Sequence, residues 1–71
     1  MFKLPKAKFK TGDKVKPVMG ISSLGGIVLK QGETCTVTSV NGIFEKTYDV
    51  TSYEDFSRWI LDVSEYELER D

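Results

Sequence analysis

The chain has 71 residues, a net charge of −1 and 30% charged side chains, and at this length only about 60% of the unfolded surface is buried on folding, which allows one domain, one core and no deep cleft. A single cysteine and the absence of histidine exclude an internal disulfide, a Cys/His zinc site and imidazole acid–base catalysis. No stretch reaches the ~20 apolar residues of a membrane span or the ~7 to 15 of a signal-peptide core, so a cytoplasmic protein with no membrane contact is expected.

Charge is unevenly spread. The first 30 residues hold seven lysines against Asp13, whereas residues 31–71 hold ten acids against Lys46, Arg58 and Arg70. In so small a domain the two halves are expected to lie side by side and neutralise each other, although such asymmetry also steers charged partners.

Residues 1–8, with Pro5 and alternating lysines, read as a basic N-terminal arm, and residues 9–71 as the folded domain. A turn at 11–13 leads into Lys14-Val15-Lys16-Pro17-Val18, a strand with Val15 inward and its lysines in water. Pro17 has no N–H for a ladder and either confines this strand to an edge or ends it early. Residues 19–26, with Gly20, Ser22, Ser23, Gly25 and Gly26, have a loop composition, and the apolar run 27–29 follows. Residues 34–40 alternate Cys35 and Val37 inward with threonines outward. The shift of the apolar set to Val40 predicts a β-bulge near Ser39. Asn41-Gly42 suits the positive φ of a type I′ turn, which predicts a tight hairpin into a strand over 43–51. After a loop at 52–57, residues 58–63 return as a strand with Trp59, Leu61 and Val63 on one face. Ser64-Glu65-Tyr66-Glu67 has capping-box spacing, so one helical turn is expected before a last short strand at Leu68. The expected core is Val15, Val28, Cys35, Val37, Tyr48, Val50, Trp59, Leu61 and Leu68.

Five short strands, regular turn signals and no sustained helical period predict an all-β fold, a small five-stranded barrel or roll with a single short helical turn near the C-terminus. Phe9, Gly12-Asp13-x-Val15, Gly20, Gly25-Gly26 and Val28 resemble the opening of the KOW-type motif found in SH3-like barrels of ribosomal and transcription-elongation proteins. Trp59-Ile60 through Glu65-Tyr66-Glu67-Leu68-Glu69 is similar to the close of many SH3-like barrels, where one helical turn precedes the final strand. The resemblance spans residues 9–69 and implies an SH3-like barrel. In size and economy the chain also resembles small SH3-like proteins encoded by bacteriophages and prophages. It departs from the KOW pattern at Ile21-Ser22-Ser23-Leu24, where the motif usually carries lysines or arginines that meet RNA.

Gly20 to Gly25 has the first spacing of a phosphate-binding loop, but Gly26-Ile27 follows where lysine and a hydroxyl are needed, so no nucleotide is expected there. The carboxylates of Glu54 and Asp55, or Glu65 and Glu67, fall in turns open to water, which leaves no desolvated acid. No catalytic residue, metal or cofactor is therefore expected, and the chain is not read as an enzyme. The expected partner is another protein, met by Ile21 and Leu24 in the glycine loop, Tyr53 and Phe56 in the 52–57 loop, and Ile60 on the outer side of its strand. The alternative is electrostatic nucleic-acid binding through Lys3, Lys6, Lys8, Lys10, Lys14 and Lys16, with Phe2 and Phe9 interleaved for stacking. Lysine without arginine, in a chain of pI about 5.4, makes such binding weak and steeply salt-dependent. A third reading treats the acids of the second half as a decoy for a basic protein surface.

Overall fold

The computed structural model describes residues 6–71, so Phe2 and Lys3 lie outside the described residues. Seven strands follow in order: β1 (Lys14–Pro17), β2 (Ile21–Ser22), β3 (Val28–Leu29), β4 (Cys35–Asn41), β5 (Thr47–Ser52), β6 (Trp59–Ser64) and β7 (Leu68–Arg70), with a single helical turn, Glu65–Glu67, before the last. The all-β expectation is met. One antiparallel sheet runs β6-β5-β4-β1-β7, and β2 and β3 pair as a separate antiparallel hairpin.

The local signals decide where these elements stop. Pro17 is the last residue of β1, which lies between β4 and β7 rather than at an edge; the missing N–H falls where the ladder ends. At the helical turn, the Ser64 N–H donates to the Glu67 carboxylate at 3.2 Å, which completes the capping-box contact. The bulge expected near Ser39 is present: Val37 opposes Val50 and Ser39 opposes Asp49, so Thr38 is the extra residue. The connection at Asn41-Gly42 differs from the expected tight turn. Asn41 pairs with Thr47, and residues 42–46 form a longer loop that Lys46 closes, its ammonium donating to the Gly42 and Ile43 carbonyls at 3.0 Å each. Satisfying those two carbonyls favours the wide loop over the two-residue turn.

Val15, Cys35, Val37, Tyr48, Val50 and Leu68 form the core as expected, each buried on the inner face. Phe9 joins them, its ring edge-on to Tyr48 at 5.3 Å. Two expectations are corrected. In the β2–β3 hairpin, Leu29 pairs with Ile21 and points inward, while Val28 pairs with the exposed Ser22 and points out, since neighbours on a strand face opposite ways. In β6, Ile60 opposes Val50 and Val63 opposes Tyr48, so those two enter the core. Between these pairs Leu61 and Asp62 both stand against Asp49, a bulge in which Asp62 takes φ 57°. Aspartate tolerates this left-handed conformation better than most L-residues. The extra residue breaks the regular alternation. Trp59 and Leu61 flank the inward-facing Ile60 and are 49% and 56% exposed, while Ile60 is 7% exposed.

Buried Tyr48 also fastens the start of the domain. Its hydroxyl accepts the N–H groups of Lys8 at 3.0 Å and Phe9 at 3.4 Å, and donates to the Glu65 carboxylate. The Lys8 N–H is shared with the same carboxylate at 3.0 Å, and the Lys8 carbonyl accepts from Arg70 Nη2 at 3.0 Å. Burial, and then Glu65, raises the Tyr48 pKa, while the Tyr48 hydroxyl holds Glu65 below its ordinary value.

Candidate functional site: an apolar groove beside strand β6

The turn that joins β2 to β3 is built by Ser23. Its carbonyl accepts the Gly26 N–H at 3.1 Å, its N–H donates to the Ile27 carbonyl at 2.8 Å, and its hydroxyl accepts the Ile27 N–H at 3.2 Å. Leu24 is thereby held at the apex, fully exposed, while Ile21 and Ile27 pack partly against the core below. Across from this hairpin, Trp59 and Leu61 flank the inward-facing Ile60 and so point outward, and the bulge that follows returns Val63 to the core. The two elements enclose a groove of about 670 Å³. Its apolar lining comes chiefly from Ile21, Leu24, Ile27, Trp59 and Leu61, and its charged lining residues are Asp62 and Glu67.

One polar cluster fixes the hairpin against the sheet. Arg58, at the end of the β5–β6 loop, donates from Nη1 to the Val28 carbonyl on β3 at 2.9 Å and to Glu33 Oε1 at 3.1 Å. Its Nη2 donates to Glu33 Oε2 and to the buried Ser52 hydroxyl, the latter at 3.2 Å. Ser52 in turn donates to Glu33 Oε2 at 2.6 Å. Hydrogen bonding from Arg58, assisted by Ser52 and the Lys30 N–H, holds the Glu33 carboxyl at a pKa of about 2 against its burial. Such a carboxylate stays ionised and fully committed at neutral pH, which suits a strut and not a proton donor. Cys35 behaves as the expected small buried hydrophobe; burial, with Glu33 nearby, pushes its thiol up to about 11, far from the reactive thiolate range.

The residues expected to bind a protein divide into three groups. Ile21 and Leu24 meet in the groove. Tyr53 and Phe56 are exposed on the β5–β6 loop but lie outside the groove lining, and the Lys14 ammonium sits 5.2 Å from the Tyr53 ring centre. Ile60 is corrected in part: it lies on the inner side of its strand, opposite Val50 in the core, because the β6 register follows β5, and it reaches the groove only as a buried lining residue. The groove also recruits Trp59 and Leu61, which the regular alternation assigned to the core. A second exposed apolar pair also escaped the sequence reading. Met19 and Tyr66 border a smaller hollow of about 310 Å³ with Val18 and Ile21. The available signal was Tyr66 itself, flanked by Glu65 and Glu67 on a helical turn that buries no residue.

Among the expected nucleic-acid contacts, Lys6, Lys8, Lys10 and Lys14 are exposed, Lys16 is half-buried and lies 3.9 Å from Glu69, and Lys3 lies outside the described residues. Phe9 is corrected: its ring is in the core, covered by the Lys8 ammonium at 5.5 Å and the Arg70 guanidinium at 5.4 Å from its centre, so no base can stack on it. Arg70 also lies 3.5 Å from Asp13, and this pair with Lys16–Glu69 joins the two halves of the chain through opposite charges. Comparison with protein-family models, curated proteins and solved structures finds no match. Among the described residues, no helix is long and apolar enough to cross a membrane.

Proposed function

We propose that this chain is a non-catalytic protein-interaction module, an SH3-like roll that works by surface recognition through the groove between the β2–β3 hairpin and β6. The SH3-like reading is supported by the five-stranded antiparallel sheet and by the helical turn directly before the final strand. The binding reading is carried by one observation: Leu24, Trp59 and Leu61 stand exposed around one groove whose floor, Ile21 and Ile27, rests on the core. Large apolar side chains gathered on a well-anchored surface lose little conformational freedom when a partner covers them, which is how small binding modules gain affinity. The anchoring comes from the Arg58–Glu33–Ser52 cluster.

Affinity capture from an extract of cells that express the chain tests this reading. Immobilised wild type is compared with Leu24→Ser/Leu61→Ser and with Tyr53→Ala/Phe56→Ala. Loss of the same proteins from the first variant and their retention by the second is the expected pattern. Recovery of an unchanged set by both variants sinks the groove. A gel-shift titration at low salt addresses the lysine route: a shifted band that weakens with salt and with Lys10→Glu/Lys14→Glu would favour nucleic acid instead.

A further inference from the structure

β6 is the end strand of the five-stranded sheet, so among the described residues one of its edges has no neighbouring strand. The register fixes what that edge presents. The Ser52 N–H donates to the Arg58 carbonyl at 2.9 Å, which puts these residues at a hydrogen-bonding position of the ladder, although the Arg58 N–H turns to the Asp55 carbonyl at 3.0 Å. In an antiparallel ladder such positions alternate with non-bonded ones, so the next pair, Thr51 with Trp59, is non-bonded. The Trp59 N–H and C=O therefore point away from β5, toward the open edge along which the groove runs. The bulge at Leu61 and Asp62 interrupts the strand beyond this point, and pairing with β5 resumes only at Val63 and Ser64. Natural sheets guard an end strand with such a bulge and with charge, and here the guard covers only part of the strand.

Resting on the interaction-module reading, we propose that the groove takes an extended segment of a protein partner. The segment adds a short strand to β6 at Trp59, places apolar side chains between Leu24 and Leu61, and brings a lysine or arginine to Asp62 and Glu67. The strand edge supplies main-chain pairing, the apolar walls select alternate side chains, and the charge sets the sign of the flanking residue. The charged lining side chains, Asp62 and Glu67, are both acidic, which disfavours a nucleic-acid strand. It also disfavours a second copy of this chain, because a two-fold β6–β6 pairing would gather the acids of both copies at one seam.

The test selects displayed random peptides of about twelve residues on the full-length chain, then titrates the enriched peptide into isotope-labelled protein. The expected peptide alternates apolar residues and carries lysine or arginine. It slows exchange of the Trp59 amide about ten-fold or more, since a protected amide exchanges only when the pairing opens. N-methylation of alternate peptide amides weakens it about ten-fold, the scale of losing one or two main-chain hydrogen bonds. Asp62→Gly, which suits the left-handed backbone and removes the charge, weakens the lysine-bearing peptide several-fold while leaving the fold's amide spectrum in place. A peptide indifferent to N-methylation, or one that leaves Trp59 unchanged and perturbs Met19 and Tyr66, overturns strand addition and leaves the interaction module standing. Trp59 protection that grows with protein concentration alone overturns it in favour of self-pairing. Enrichment of no peptide overturns both readings.

Discussion

Arg58 clasps Glu33 through both guanidinium nitrogens at its fork, with the Nη1–Oε1 contact at 3.1 Å, and the same guanidinium reaches the Val28 carbonyl on β3. Two loops and a hairpin separated in sequence thus share one charged joint. A bidentate pair that is also hydrogen-bonded to a buried hydroxyl belongs to the minority of ion pairs that matter for stability.

Glu33→Gln tests the joint. The folded pKa of Glu33 is about 2 against an ordinary 4.5. A depressed carboxyl pKa contributes stability that is fully present above 4.5 and is lost as pH falls toward 2. Urea unfolding of the wild type should therefore weaken across that window by about 2 kcal/mol, a figure reduced from the full shift because Arg58 is partly solvated. In Glu33→Gln the stability should be lower by a similar amount at pH 7 and this part of the acid slope should vanish. An unchanged slope would show that the pair does not hold in solution.

Tyr48→Phe removes the hydroxyl that gathers the Lys8 and Phe9 amides and Glu65. Two N–H donors lose an acceptor at once, so a loss of about 1–3 kcal/mol is expected, with faster hydrogen exchange at Lys8 and Phe9. The pH dependence has the opposite sense from that of Glu33. Because the folded pKa of Tyr48 lies above its ordinary 10.0, its contribution is present below pH 10 and is lost as pH rises beyond it, where the unfolded chain ionises first. The variant should lack this alkaline loss.

Gly42→Ala should cost far more than Gly12→Ala, although both glycines have positive φ, 91° and 94°. At Gly12 an added Cβ meets nothing within 4 Å, and only the left-handed backbone penalty of about 1 kcal/mol applies. At Gly42 the Cβ would stand 2.1 Å from the Glu45 carbonyl oxygen. That contact is with backbone and cannot be relieved by a rotamer change, so the 42–46 loop must open and release the Lys46 contacts with it. A loss above about 2 kcal/mol in denaturant unfolding is expected for Gly42→Ala, in line with other strained backbone sites.

The parts of this fold that were legible in the sequence are those set by near neighbours. Cys35 and Val37 announce the inner face of β4, the apolar shift at Val40 announces the bulge before it, and Ser64 with Glu67 announces the helical turn. Asn41-Gly42 is a local signal too, but the Lys46 side chain reaches back to favour a wider loop, a contact that no dipeptide preference contains. At the groove, Ile21 and Leu24 were legible as aliphatic side chains set among the glycines and serines of a loop. Trp59 and Leu61 were not, since their spacing is that of a regular buried strand face. The bulge that lets Val63 share the core with Ile60 is held by Asp62, a residue without the glycine signature that usually marks a left-handed position.

The register of β6 is accordingly the place where sequence pattern and structure part most sharply, and a pair of truncations separates them. Under strict alternation Leu61 would be the core residue and Ile60 the surface one. In the structure Ile60 is 7% exposed opposite Val50, and Leu61 is 56% exposed at the groove. Ile60→Ala should therefore lower unfolding stability by about 2–4 kcal/mol, because it removes methyl groups from a packed site and leaves a cavity. Leu61→Ala should change it by less than about 1 kcal/mol, as expected for a half-solvated side chain, while weakening whatever the groove holds. If Leu61→Ala proved the more destabilising of the two, the bulge at Leu61–Asp62 would be displaced. With it would go the outward placement of Leu61 and the groove wall that Leu61 forms.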